Sequence, residues 1–399
     1  MRLAMWTYPW DMLDLGPTMV ADELRARAGL NAISLAASYH AGRFLQPRSP
    51  RRKSYFPEDG TIYFRPDPAR WAGKAITPRP ASLLDHGDVL AGLIAARERG
   101  GLAVSCWTVC LHNTRLGMAH PEACTRNAFG DPAWYSLCPS NEAVRSYAVT
   151  LVADLTHRYR PDTVELESPG FMGFAHGFHH EKDGVGLTAE DDFLLSLCFC
   201  PACLARSAKA GVDGEAAARL VRRWIEEACA RPVPAPRWPD FHERGLAVFD
   251  GHPELASYVL WRFEPVTCLV AEIRAAAHPS TKVHVIDIDD GWLSGSDLAA
   301  LGRAADGVLL CVYDRTPEEV GLAVAKARAA LDDTRFLGAG MRVFYPEMRG
   351  PADLAARAAA AAGAGADSLS FYNYGLIPAP RLDWVRAAVQ AACGADGAL

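Results

Sequence analysis

Along the chain, short apolar runs alternate with longer stretches in which apolar residues return every three or four positions. The first pattern reads as buried strands and the second as amphipathic helices. Strands are predicted at 2–8, 31–38, 102–109, 162–168, 282–289, 307–313, 335–343 and 368–374. Helices are predicted near 17–28, 87–99, 141–159, 254–277, 296–304, 317–331, 351–363 and 381–393. Strict alternation of this kind predicts an α/β fold, a closed (β/α)8 TIM barrel. A doubly wound open sheet is the alternative that the same alternation permits.

Two connections are unusually long. The chain is expected to form a single barrel domain over 1–399, with a rim loop insertion at 39–85 and a second insertion at 169–253 that carries a cysteine group. The insertions come after strands 2 and 4, so both belong to the C-terminal face, where barrels of this type keep their sites. A helix is predicted near 214–229 inside the second insertion.

Strand parity then separates outward from inward side chains, because the face that helices cover must be apolar. In the fourth strand Val164 and Leu166 take the outer face, so Glu165 and Glu167 point inward. In the fifth, Ile286 and Ile288 are assigned to the outer face and Asp287 and Asp289 to the inside. The same argument turns Trp6, Tyr8, His40, Trp107, Tyr313, Arg342, Tyr372 and Tyr374 inward and leaves His112 and Asn113 in the rim loops. Buried carboxylates are costly unless paired, protonated or bound to a ligand. Glu165 and Asp287, lying deeper, are either structural groups satisfied by Arg342 and the rim or additional substrate contacts. Glu167 and Asp289, at the strand ends, are the candidates for chemistry. Aromatic faces beside carboxylates suit a sugar ring, which stacks its C–H face and hydrogen-bonds through its hydroxyls.

Cys198-Phe199-Cys200-Pro201-Ala202-Cys203 sets three thiols within six residues. Thiolates at that density bind zinc or a cluster, and Cys138, in Cys138-Pro139-Ser140-Asn141, is the leading fourth ligand. Buried reduced thiols or a disulfide are the alternative. With no open position left, a four-cysteine site would be structural. The run from Phe174 to Lys182 holds His176, His179 and His180, which could serve a metal, a substrate or only solvent.

Composition changes little of this. The chain has 399 residues, of which half are hydrophobic, and a formal charge of −6, which gives no electrostatic reason to expect nucleic acid or an anionic membrane. An odd count of 11 cysteines makes a poor disulfide framework. The opening residues from Met1 to Trp6 are too short an apolar run for a signal peptide, and no run is long enough to span a membrane. A cytoplasmic location is the default expectation. The long rim loops offer surface for a homo-oligomer without demanding one.

The order of a Cys-Pro-Ser-Asn helix start (138–141), a strand ending in Glu167, and then Cys198-x-Cys200-x-x-Cys203 resembles the family 42 β-galactosidases and related barrel glycoside hydrolases. The match covers about residues 130–210. The resemblance implies that Cys138, Cys198, Cys200 and Cys203 hold a structural zinc beside the active site and that Glu167 is the general acid/base. Leu166 stands where the family has Asn before its acid/base. The family's nucleophile, a Glu ending the seventh strand, is replaced here by Arg342, with Glu347 some residues later.

The reading that follows is a glycosidase, a hydrolase of carbohydrate metabolism. Glu167 is its acid and Asp289 its partner carboxylate, while Trp6, Tyr8, His40, Trp107, His112, Asn113, Tyr313 and Tyr372 bind the sugar. Arg342 would hold Asp289 or an anionic substrate group. Carboxyl groups roughly 5–5.5 Å apart would mean retention and 6.5–9.5 Å inversion. Two rivals remain open: an inactive barrel that binds a glycan, and a metal-dependent sugar isomerase, epimerase or lyase.

Overall fold

A computed structural model describes residues 1–176, 180–288, 290–332 and 334–394. Eight parallel strands close on themselves: β1 (Arg2–Thr7), β2 (Ala32–Tyr39), β3 (Ala103–Val109), β4 (Thr163–Glu167), β5 (Lys282–Asp287), β6 (Gly307–Cys311), β7 (Phe336–Arg342) and β8 (Ser368–Tyr372). Each pairs with the next, and β8 returns to β1 with Arg2 opposite Ser368, so the sheet is a barrel and not an open doubly wound array. The fold is the (β/α)8 TIM barrel. No helix among the described residues is long and apolar enough to cross a membrane.

Two cores hold the barrel. Outside, Leu3, Met5, Ile33, Val104, Val164 and Leu166 are packed under the helices. Inside, Trp6, Tyr8, Tyr39, Trp107 and Leu309 fill the lumen. Gly340 in β7 makes room for the largest of these, since a Cβ there would stand 2.8 Å from Trp6 Cη2. At the base Arg2 donates to Thr163 Oγ1 at 3.1 Å and to Ser105 Oγ, closing the N-terminal end.

The predicted phase fails in β5. Val283 and Val285 are fully buried in the outer core, and Ile286 packs with the lumen residues. Asp287 therefore shares the outward phase of the two valines. It sits at the strand end, where a Cβ on Gly291 would stand 2.8 Å from its Oδ1. The cause is visible in Lys282-Val283-His284-Val285-Ile286-Asp287-Ile288, whose two interleaved phases are about equally apolar. Two other departures are local. A register shift between Ala36 and Ser38 in β2 puts Tyr39, not His40, in the lumen. β8 ends at Tyr372, and Tyr374 begins a short turn that packs in the outer core, with its hydroxyl donating to Glu23 at 2.6 Å.

The helix predicted over 254–277 is two helices, Pro253–Trp261 and Phe263–Ala276, with buried Arg262 between them. A third long connection runs between β3 and the helix Glu142–Tyr159. It contains the helix Thr114–Ala119 and a hairpin of Cys124–Arg126 with Pro132–Leu137. The insertion after β4 folds as helices Ala189–Ser196, Pro201–Lys209 and Gly214–Ala230, the last matching the helical segment expected there. Thr188 and Asp213 cap the first and third of these by accepting from Asp191 N and Ala216 N. The insertion after β2 adds two-residue strands, among them Thr61–Ile62 beside the end of β2.

Candidate functional site

β4 alternates cleanly because Val164 and Leu166 are both fully buried against helices, which obliges Glu165 and Glu167 to enter the lumen. The two carboxylates then meet different surroundings. Glu165 is buried, and its Oε2 accepts from Trp6 Nε1 at 3.0 Å and from Ser34 Oγ at 2.7 Å. It stays beneath the floor and does not line the mouth. Glu167, one rung higher, accepts from Trp107 Nε1 and opens into a cavity of about 590 Å3 at the C-terminal face.

Burial raises the Glu167 pKa, while the neighbouring His40 and the Trp107 donor pull it down. A carboxyl of this kind is biased toward its protonated form, the form a general acid needs. Aromatic rings frame it. Trp6 and Trp107 lie 6.2 Å apart between centroids, and Tyr372 meets both edge-on, at 5.9 and 5.8 Å. Behind them Tyr8 bonds Tyr372 through hydroxyls 2.7 Å apart and donates to the Tyr39 hydroxyl at 3.1 Å.

Of the residues predicted for the site, Trp6, Trp107, Glu167, Asp287, Tyr313, Arg342 and Tyr372 line this cavity. Asp287 reaches it from the rim end of its strand. Asp289 lies outside the described residues, as does His179. Tyr8 is wholly buried and belongs to the layer behind the wall. Asn113 is a helix cap whose Oδ1 accepts from Leu116 N at 2.9 Å while its amide donates to Gly60 O at 3.3 Å. His40 and His112 form a stack with Tyr39, at 4.3 and 4.1 Å, and His112 in turn meets His176 at 4.6 Å. Only His176 of these histidines reaches the cavity wall. Burial first, and then His40, lower the pKa of both His112, down to about 2, and His176, so both are neutral at pH 7.

Arg342 caps the Tyr313 ring at 4.3 Å and reaches Asp314 at 3.0 Å and Glu347 at 3.8 Å. Those are its carboxylate partners among the described residues. Glu347 is thereby drawn under Arg342 and is absent from the cavity wall. Several wall residues carried no sequence signal: Asp192, Phe193 and Phe241 arrive from the insertion after β4, and Tyr39 through the shift in β2.

The four cysteines come together, and none of them lines the cavity. Cys138, Cys198, Cys200 and Cys203 are buried, with all four Sγ atoms within 4.8 Å of one another. Cys138 Sγ lies 3.4 Å from Cys203, 3.5 Å from Cys200 and 3.9 Å from Cys198. Thiolates bound to one tetrahedral ion at about 2.3 Å stand about 3.8 Å apart, so the spacing fits a metal site. Backbone N–H groups of Arg126 and Ser140 point at Cys198 and Cys138 Sγ, both at 3.4 Å, as suits thiolate acceptors. Fully buried Arg262 adds positive charge nearby, with its Nε and Nη1 unpartnered among the described residues.

Solved structures with the same architecture are numerous. The chain is similar to an α-L-fucosidase isoenzyme 2 from Paenibacillus thiaminolyticus at 14% identity and TM-score 0.57, over 100% of this chain and 50% of that one. It is similar to the PgaB (BpsB) glycoside hydrolase domain from Bordetella bronchiseptica at 12% identity and TM-score 0.57, over 98% of both chains. A β-amylase catalytic domain from Paenibacillus polymyxa aligns at 10% identity and TM-score 0.56, over 96% of this chain and 94% of that one. What these share with the chain is the fold. No protein-family model and no curated protein matches it.

Proposed function

We propose that the chain is a single-domain glycoside hydrolase with Glu167 as its general acid. The observation that carries the reading is one carboxyl, biased toward protonation by burial, tethered by a tryptophan N–H and open to an aromatic-walled cavity. Glu167 would protonate the leaving oxygen of a glycosidic bond, while Trp6, Trp107 and Tyr372 would stack on or flank the sugar ring. That similar barrels bear fucosidase, glycoside hydrolase and amylase names supports the same substrate class.

The partner carboxylate is proposed to be Asp289, just beyond the end of β5. Asp192 is a second reading, favoured by its place on the cavity wall with its Oδ1 accepting from Ala175 N at 2.6 Å. The cysteine group is proposed to hold a structural zinc, which with four thiolates has no position left for substrate. It would pin the insertion after β4 to the hairpin after β3. Only this region carries the resemblance to family 42 β-galactosidases.

Glu167→Gln tests the acid. On a panel of aryl glycosides and plain oligosaccharides, kcat for the substrate turned over by the parent chain should fall about 10²–10⁴-fold. Undiminished turnover would remove Glu167 from the mechanism. A parent chain that binds sugars without ever forming product would make this a glycan-binding barrel.

A further inference from the structure

The catalytic cavity has a neighbour. A second cavity, of about 580 Å3, lies between the hairpin after β3 and the insertion after β4. Met172, Ala189, Asp192 and Ser196 belong to the walls of both, so the two are lobes of one groove divided at Asp192. Each lobe alone has the size of a small-molecule site, which spans about 300–1,000 Å3. A monosaccharide has no use for the second.

The walls of the outer lobe have the chemistry of the inner one. Trp134, Tyr135 and Phe174 supply aromatic surface, and Arg126, Asn127 and Asp183 supply polar groups. Trp134 and Phe174, both on this wall, leave 38% and 43% of their surface exposed. The single proton of the Tyr135 hydroxyl is shared between Gly173 O at 2.8 Å and Phe174 O at 2.9 Å, which ties the hairpin to the insertion. Aromatic faces with scattered polar partners, continuous with a proposed sugar-cleaving site, favour more sugar over an aliphatic chain.

We infer that the outer lobe is an additional sugar subsite, and that the natural substrate is an oligosaccharide running past Asp192 from the Glu167 lobe to Trp134. The inference rests on the carbohydrate reading of the Glu167 lobe. Trp134 provides the stacking platform at the far end.

Titration calorimetry of the full Glu167→Gln chain tests it without turnover. The probes are β-1,4-glucan, β-1,4-mannan and β-1,4-N-acetylglucosamine oligomers of one to five rings, together with octyl glucoside. In one series Kd should fall at least tenfold from one ring to four. Trp134→Ala should remove most of that gain, and Trp134→Phe, which keeps a ring, should restore part of it. An affinity that ignores chain length, a gain that survives Trp134→Ala, preferential binding of octyl glucoside, or no binding of any probe would overturn the subsite. If the parent chain cleaves none of these sugars but length-dependent, Trp134-dependent binding persists, the hydrolase reading falls and the subsite stands. Cleavage without length dependence would do the reverse.

Discussion

Trp6 Nε1 donates to Glu165 Oε2 at 3.0 Å across the barrel lumen. The same pairing recurs one rung higher between Trp107 and Glu167. The lower pair is sealed by Ser34 and buried; the upper pair faces the cavity. Two like contacts at two depths thus divide the two glutamates of β4 into one buried beneath the floor and one open to the cavity, the one proposed as the acid.

That division predicts a pH response. Burial raises the Glu167 pKa, and the Trp107 N–H opposes the rise by favouring the ionised form. Trp107→Phe removes the donor, so the pKa climbs further. A general acid works protonated, and the alkaline fall of kcat/KM should therefore move to higher pH. An unmoved alkaline limb would show that another group is the titrating acid.

Gly340 predicts a packing cost. A Cβ there would stand 2.8 Å from Trp6 Cη2, 3.1 Å from Leu309 Cδ2 and 3.3 Å from Cys311 Sγ. Gly340→Ala should lower stability by about 1–3 kcal/mol in urea titrations, as overpacked cores do. It should also reduce turnover by tilting Trp6 away from Glu165. A variant with unchanged midpoint and activity would mean that the indole yields freely.

The cysteine group predicts a stability effect. Elemental analysis should find one zinc per chain, and Cys200→Ser should abolish it. Chelation at neutral pH should lower Tm, with limited proteolysis then cutting first in the insertion after β4, because the metal would be its tie to Cys138. Chelator-insensitive Tm together with a metal-free chain would leave four buried thiols and no metal.

Asp11 predicts a pH-dependent stability away from the site. Burial pushes its carboxyl from 3.8 up to about 7, although it accepts from Tyr8 N at 3.0 Å. The folded chain therefore holds a proton that the unfolded chain releases between about pH 4 and 7, and stability falls with rising pH across that window. At about 1.4 kcal/mol per tenfold, the loss is at most roughly 4 kcal/mol. Asp11→Asn, which keeps an acceptor without the charge, should raise Tm at pH 8 and leave it nearly unchanged at pH 4. Equal effects at both values would refute the assignment.

The barrel itself was written in the sequence, because every strand must present apolar residues to a covering helix and so fixes its own period. The same constraint set β4, where Val164 and Leu166 allow only one phase, and the spacing of Cys198, Cys200 and Cys203 kept their thiols close enough to join one cluster. β5 was different: Val283 and Val285 compete with Ile286 and Ile288 for the outer face, and only packing against the helices selects the valines and turns Asp287 away from the lumen. A register shift after Ala36 exchanged His40 for Tyr39, since one residue of slip inverts a strand's faces. Asp192, Phe241, His176 and Trp134 come from long connections with no period to read, and contacts between residues far apart in the chain bring the first three to the mouth and Trp134 to the lobe beside it.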